Sequence, residues 1–173
     1  MNQRRRFFTF LLILSITMSG CSPSARTATP TVETVLGTRT RWPKNNHLYE
    51  VIRVPDGIHW EDANQAAQAL GGHLATITSA AENDFVFSIA SSSEERHGFW
   101  LGGYQLPGSS EPDGGWGWVT GEPWNYTCWD DGEPNNASEG SEDRLHFHWE
   151  NGPSWNDLSA SDESPRGYIV EYE

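Results

Sequence analysis

Basic residues are scarce in this 173-residue chain: 11 Lys and Arg stand against 24 Asp and Glu, for a net charge of −13. So anionic a surface lacks the positive footprint that nucleic-acid binding needs, and no nucleic acid is expected as a partner. Cysteine is just as sparse, with only Cys21 and Cys128, so the fold has to be held by packing, helped by a bound cation if there is one, rather than by a disulfide framework. The main apolar run, residues 7–18, is short of the roughly 20 residues that a membrane-spanning helix requires. No serine, cysteine or histidine constellation is spaced for nucleophilic catalysis, and the domain is expected not to be an enzyme. What is plentiful is tryptophan, nine in all, and each can bury a large apolar area. The length accommodates one domain with a leader and a linker.

Residues 1–20 read as a secretory leader, in which Arg4-Arg5-Arg6 is the positive segment and residues 7–18 the apolar one. The leader ends Met18-Ser19-Gly20-Cys21, which resembles the lipobox of bacterial lipoproteins, with Met18 where leucine is commoner. The resemblance implies lipidation of Cys21, a membrane anchor at the bacterial cell envelope and, through Ser22, sorting to the outer membrane. Loss of the leader removes three arginines and no acid, taking the net charge from −13 to −16. With Cys21 lipidated, Cys128 has no intramolecular partner and is expected as a half-buried bystander. Residues 21–41 show no period of 2 or 3.6 and are expected to form a flexible tether, with the domain occupying 42–173.

Within the domain, residues 47–54 alternate as a strand stopped by Pro55-Asp56-Gly57. Trp60, Ala63, Ala67 and Leu70 recur at helical spacing and Gly71-Gly72 closes the helix. Residues 73–77 read as a short strand. Ser79 and Glu82 form a capping box that starts a second helix running to about Ala90. Short aromatic strands are then expected over 99–104, 116–119, 145–149 and 168–172, with a long stretch rich in Gly, Pro, Asn and acids over 120–142. A loop of that length in a compact domain is usually functional.

That stretch carries Glu133-Pro134-Asn135-Asn136 and Glu142-Asp143, and a turn further on carries Trp155-Asn156-Asp157. Carboxylate and amide oxygens are the ligands calcium prefers, six to eight of them. Glu133, Asn135, Glu142, Asn156 and Asp157 supply such a set, and a cis Glu133-Pro134 bond can turn the neighbouring side chains toward one point at low cost. An acidic surface loop with no metal accounts for the same composition.

These motifs, in this order, resemble those of the C-type lectin-like family. The match spans about 42–173 and includes Trp60-Glu61-Asp62-Ala63, Gly72-His73-Leu74-Ala75, Phe99-Trp100-Leu101-Gly102-Gly103, Trp118-Val119-Thr120-Gly121, Trp129, Glu133-Pro134-Asn135, Trp155-Asn156-Asp157 and Tyr168-Ile169-Val170-Glu171. The resemblance implies an α+β fold, two helices packed on short antiparallel strands with a long calcium-binding loop. It implies Ca2+ held by Glu133, Asn135, Asn156 and Asp157, with either Glu142 or Glu139 as the loop glutamate. By the same resemblance the ligand is a carbohydrate or glycoconjugate of mannose, glucose or N-acetylglucosamine type, bound by those side chains, because Glu-Pro-Asn rather than Gln-Pro-Asp stands at 133–135. The family's usual cysteines are missing, with Ala67, Arg144 and Val170 at or beside their positions, and Asn136 and Asp113 support a second calcium site poorly.

Four further features stay open. Trp124 beside the loop is a candidate ring for stacking on a sugar. His146 and His148 fall on one side of a strand, where they could chelate zinc or nickel, leaving Leu145, Phe147 and Trp149 for the core. Asp130, Asp131 and Glu133 are the acids a glycosidase would use. A calcium-stiffened protein-binding or adhesion module without sugar affinity is the alternative function, since folds do not fix function.

Overall fold

The computed structural model describes residues 33–91, 98–137, 142–148 and 152–173. Cys21 with the leader, Glu139 and Trp149 lie outside the described residues. The chain runs β1 (Thr40–Arg41), β2 (Leu48–Arg53), α1 (Trp60–Ala69), β3 (His73–Leu74), α2 (Ala80–Ala90), β4 (Trp100–Gln105), β5 (Trp116–Trp118), β6 (Glu142–Phe147), β7 (Trp155–Ser159) and β8 (Gly167–Tyr172). The strands form one sheet in the order β1-β2-β8-β4-β6-β7, with β3 added on β8 and β5 on β4. Pairing is antiparallel except between β4 and β8, where Trp100 pairs with Tyr168 in parallel.

The period of two along the central strands decides which helix each residue meets. Tyr49, Val51, Leu101 and Ile169 join the cluster that also contains Val86 and Ala90 of α2. Their neighbours Ile52, Trp100, Tyr168 and Val170 join the cluster of Trp60, Ala63 and Ala67 from α1. The α+β expectation therefore holds, with a helix against each face of the sheet. Gly72 is where α1 gives way to the sheet: a Cβ there would sit 2.4 Å from the Glu171 carbonyl oxygen, which only glycine avoids.

Ser79 caps α2, its side chain accepting from the Glu82 backbone amide at 3.3 Å. The return arm differs from the expected capping box. Glu82 accepts from the Thr78 amide at 2.8 Å and the Thr78 hydroxyl at 2.9 Å, one residue ahead of the cap. Its other oxygen is held by Tyr49 Oη at 2.6 Å and Asn45 Nδ2 at 3.1 Å, so the buried core sets the position of this carboxylate. Ser79→Ala is expected to lower stability by about 1 kcal/mol, the usual value of a serine cap. Urea unfolding in chelator checks this, and an unchanged midpoint would show that Glu82 alone secures the helix start.

Three expectations are corrected. Domain structure begins before Trp42, because Val35 exchanges backbone hydrogen bonds with Arg53 and β1 pairs with β2; the end of the expected tether serves as the sheet's edge. The β6 strand starts at Glu142 rather than 145, since β4 and β7 both pair with it and Arg144 finds Glu61 at 2.7 Å. Finally, Trp155-Asn156-Asp157 is not a turn but the first part of β7.

Candidate functional site

Trp155 anchors the region from inside. Its indole Nε1 donates to Asn83 Oδ1 at 2.8 Å, while Asn83 Nδ2 donates to the Pro153 carbonyl at 2.7 Å, so α2 fixes the entry to β7. The Trp155 amide donates to the Cys128 carbonyl at 2.7 Å and its carbonyl accepts from the Asp130 amide at 2.9 Å. The rings of Trp118, Trp124, Tyr126 and Trp129 pack on Trp155 at centroid distances of 5.5 to 5.9 Å. This aromatic base carries the loop. Trp124 belongs to it, lying near-parallel on Trp116 at 5.9 Å and 4.5 Å from the Trp118 ring. Trp116 and Trp118 hold Trp124 from within, yet the residue is only half-buried, which leaves part of the ring accessible beside the loop. Cys128 is a half-buried free thiol.

From this base, β7 sends the fully buried Asp157 side chain into the loop. One carboxylate oxygen accepts from the Asn135 amide at 3.0 Å and the other from the Asn136 amide at 2.8 Å. The Glu133-Pro134 peptide between the base and these amides is cis. Asn135 Nδ2 donates to Glu133 Oε1 at 2.9 Å, and Asn135 Oδ1 accepts from the Ala137 amide at 2.8 Å. The Ala137 amide also reaches Glu142 Oε2 at 2.7 Å, and the Glu142 amide donates to Asn136 Oδ1 at 3.0 Å. Asn136 has φ 49°, a left-handed conformation that asparagine tolerates better than most residues. Its side chain is thereby spent on closing the loop onto β6.

Glu133, Asn135, Asp157 and Glu142 are thus brought together, although far apart in sequence. Asn156 joins them through its own neighbour: its Nδ2 donates to the Asp157 carbonyl at 2.6 Å and faces His146 Nε2 at 3.1 Å. The amide nitrogen is committed, which leaves the Asn156 carbonyl oxygen as the atom for a ligand.

Among the described residues no Lys or Arg ion pair reaches Glu133 or Asp157. Glu133 Oε2 is buried with no fixed donor, and the Asp157 carboxyl beside the Glu133 side chain can pair with it only if one of the two holds a proton. Burial first, then the Asp157 carboxyl, push Glu133 up to about 7, with Glu142 adding to the rise and His148 opposing it. An orphaned carboxylate oxygen beside a second carboxyl is chemistry a hard divalent cation satisfies. Among the described residues, however, no three His, Cys, Asp or Glu side chains already converge as a metal-ready group. The oxygens of Asp157 and one oxygen of Glu142 are turned to backbone amides instead.

The histidine pair is not a chelate. His146 is buried and pushed down to about 4, by burial first and then by His148, so its imidazole is neutral. His148 Nδ1 instead pairs with Asp130 Oδ2 at 2.8 Å. Asp130 also accepts from the Asp131 amide at 2.9 Å, so this acid is engaged in holding the loop. No local pattern in the sequence points to the contact between His146 and Asn156. It arises from the β6–β7 register, which sets these two residues opposite one another.

The family model described as the lectin C-type domain matches residues 56–169. A perlucin-like protein of Mytilus galloprovincialis is 36% identical over 117 residues, covering 66% of this chain and 70% of that protein. Ladderlectin of Oncorhynchus mykiss is 32% identical over 113 residues, covering 64% of this chain and 56% of its own length, so the chain spans little more than half of that relative. Among solved structures, the C-type carbohydrate-recognition domain of cow CD23 in the presence of a GlcNAc2Man3 oligosaccharide superposes with a TM-score of 0.59 at 25% identity, over 73% of this chain and 87% of that one. The helix on either face of the sheet, the loop stitched to Asp157 and these matches together have one meaning: the chain belongs to the C-type lectin domain family.

Proposed function

We propose that this domain binds carbohydrate through a calcium ion held by Glu133, Asn135, Glu142, Asn156 and Asp157. The observation that carries the proposal is Glu133 Oε2, buried without a fixed donor and set beside the Asp157 carboxyl. A bound calcium ion would compensate the three carboxylates and offer open coordination positions to hydroxyl oxygens. The chain's own residues then choose the ligand. Glu133 Oε1 and Asn135 Nδ2, 2.9 Å apart, are an acceptor and a donor side by side. They suit a pair of adjacent sugar hydroxyls, one donating to the carboxylate and one accepting from the amide. The Glu-Pro-Asn order and the oligosaccharide named with the cow CD23 domain favour mannose, glucose or N-acetylglucosamine type sugars. With Met18-Ser19-Gly20-Cys21 resembling a lipobox, the domain is proposed to act on a lipid anchor at the bacterial cell envelope, in the outer membrane.

A second reading, a protein-binding module without sugar affinity, is favoured by one observation: both Asp157 oxygens are already satisfied by loop amides. A glycan array in calcium and in chelator separates the two. Signal on mannose-type glycans that chelator erases is the expected result. Calcium binding with a blank array would give the site to a protein partner, and neither binding would leave a metal-free scaffold.

A further inference from the structure

We infer that His146 is a positioning residue for the proposed calcium site, acting through Asn156; the inference rests on the calcium reading above. β6 and β7 pair so that His146 stands directly opposite Asn156, and cross-strand partners on one face are within reach of each other. The Asn156 amide could be turned either way by rotation about its last bond, and a cation accepts only the turn that presents oxygen. Two contacts select that turn. Nδ2 faces the Asp157 carbonyl at 2.6 Å, where an oxygen would meet another acceptor, and its second proton is then directed at His146 Nε2 at 3.1 Å. The bond also fixes the imidazole tautomer, with Nε2 bare and the proton on Nδ1.

His146 is itself held in place. Its ring meets Trp100 edge-on at 5.8 Å between centroids. A Cβ on Gly98 would lie 2.6 Å from Nδ1, so the backbone there closes against the ring. Nδ1 is buried with no well-aligned partner, its polar contact being with the Phe147 backbone. A buried polar ring with one poorly satisfied nitrogen costs free energy that an apolar residue would avoid. What the ring supplies in return is the acceptor at Nε2. Partners that orient metal ligands in this way typically account for about 10- to 100-fold in affinity.

Two variants separate this role from packing. His146→Phe keeps an aromatic ring against Trp100 and loses the acceptor, whereas His146→Gln gives up the ring and can return an acceptor near the Nε2 position. In calcium titration calorimetry on the detergent-solubilised full-length protein, His146→Phe is expected to weaken binding about tenfold and His146→Gln to recover most of the loss. A packing role predicts the reverse order of damage. The metal-free protein provides an independent readout in the Asn156 side-chain amide protons. Both should be protected from exchange in the wild type and in His146→Gln, whereas in His146→Phe the proton that faced Nε2 should lose its protection and the one on the Asp157 carbonyl keep it. Calcium affinity unchanged in His146→Phe, or equal loss in both variants, overturns the positioning role. Absence of calcium binding by the wild type sinks the calcium reading instead. The exchange data then decide whether the bond exists, and unprotected Asn156 protons in the wild type would dismiss it.

Discussion

Asp157→Ala is expected to abolish the proposed calcium binding and, in the same protein, to destabilise the metal-free domain. The two effects share a cause. Asp157 is the fully buried carboxylate on which the 133–137 loop is hung, through the amides of Asn135 and Asn136. Truncation leaves those two donors without their acceptor. An unsatisfied buried group costs about 1–3 kcal/mol, and water reaching the exposed Asn135 side relieves part of it. Relief of the repulsion with Glu133 offsets another part, so a net loss of about 2 kcal/mol is expected in chelator. For calcium the loss should exceed a hundredfold, because the remaining acids lose both a ligand and the frame that orients Glu133 and Asn135. Asp157→Asn helps to divide the causes: one amide keeps its acceptor, so stability should fall less than in the alanine variant while calcium binding is still lost. Calorimetry and denaturant unfolding on both variants check the pair of outcomes. Calcium affinity within threefold of wild type for the alanine variant would remove Asp157 from the site.

How much of this was legible beforehand depends on the range of the interactions. Helix α1 was readable because Trp60, Ala63 and Ala67 share one face, and all three are buried there. The start of α2 was readable from Ser79 and Glu82, but the return arm was not, since Tyr49 and Asn45 are more than 30 residues away. β7 was missed because Asn156 and Asp157 interrupt its apolar pattern and imitate a turn. Their pairing with β6 depends on a strand partner that no local signal announces. Trp124 was legible as an aromatic beside the loop, but not that Trp116 and Trp118 pack on it, because those contacts depend on where β5 lies. The same holds for β1, whose short polar sequence forms an edge only because β2 supplies a template. The acids and amides of the candidate site were all visible as residue types. That Asp157 would hold the loop by its backbone, and His146 the amide of Asn156, depends on register.

Glu133 makes the domain's response to pH specific. Its carboxyl is pushed up to about 7 by burial and by the Asp157 carboxyl beside it, whereas in an unfolded chain a glutamate titrates near 4.3. The folded state therefore holds this proton more tightly than the unfolded one. In the metal-free domain its contribution to stability is fully present below about pH 4 and is lost as pH rises through about 7. Calcium reverses the requirement, since a coordinating carboxylate must give up its proton. Below pH 7, binding should release close to one proton per ion from this group, and affinity should drop about tenfold per pH unit, or about a hundredfold between pH 7.5 and pH 5. At pH 8.5 proton release should be near zero. Calorimetry in buffers of different ionisation heat measures that number directly. Glu133→Gln removes the proton and the charge together, so it should flatten the melting profile of the metal-free domain between pH 4.5 and 7 while weakening calcium at every pH. Proton release that stays near zero at pH 5.5 in a wild-type protein that binds calcium would place the ion away from Glu133, and the unpaired Oε2 would then lose its claim as the centre of the site.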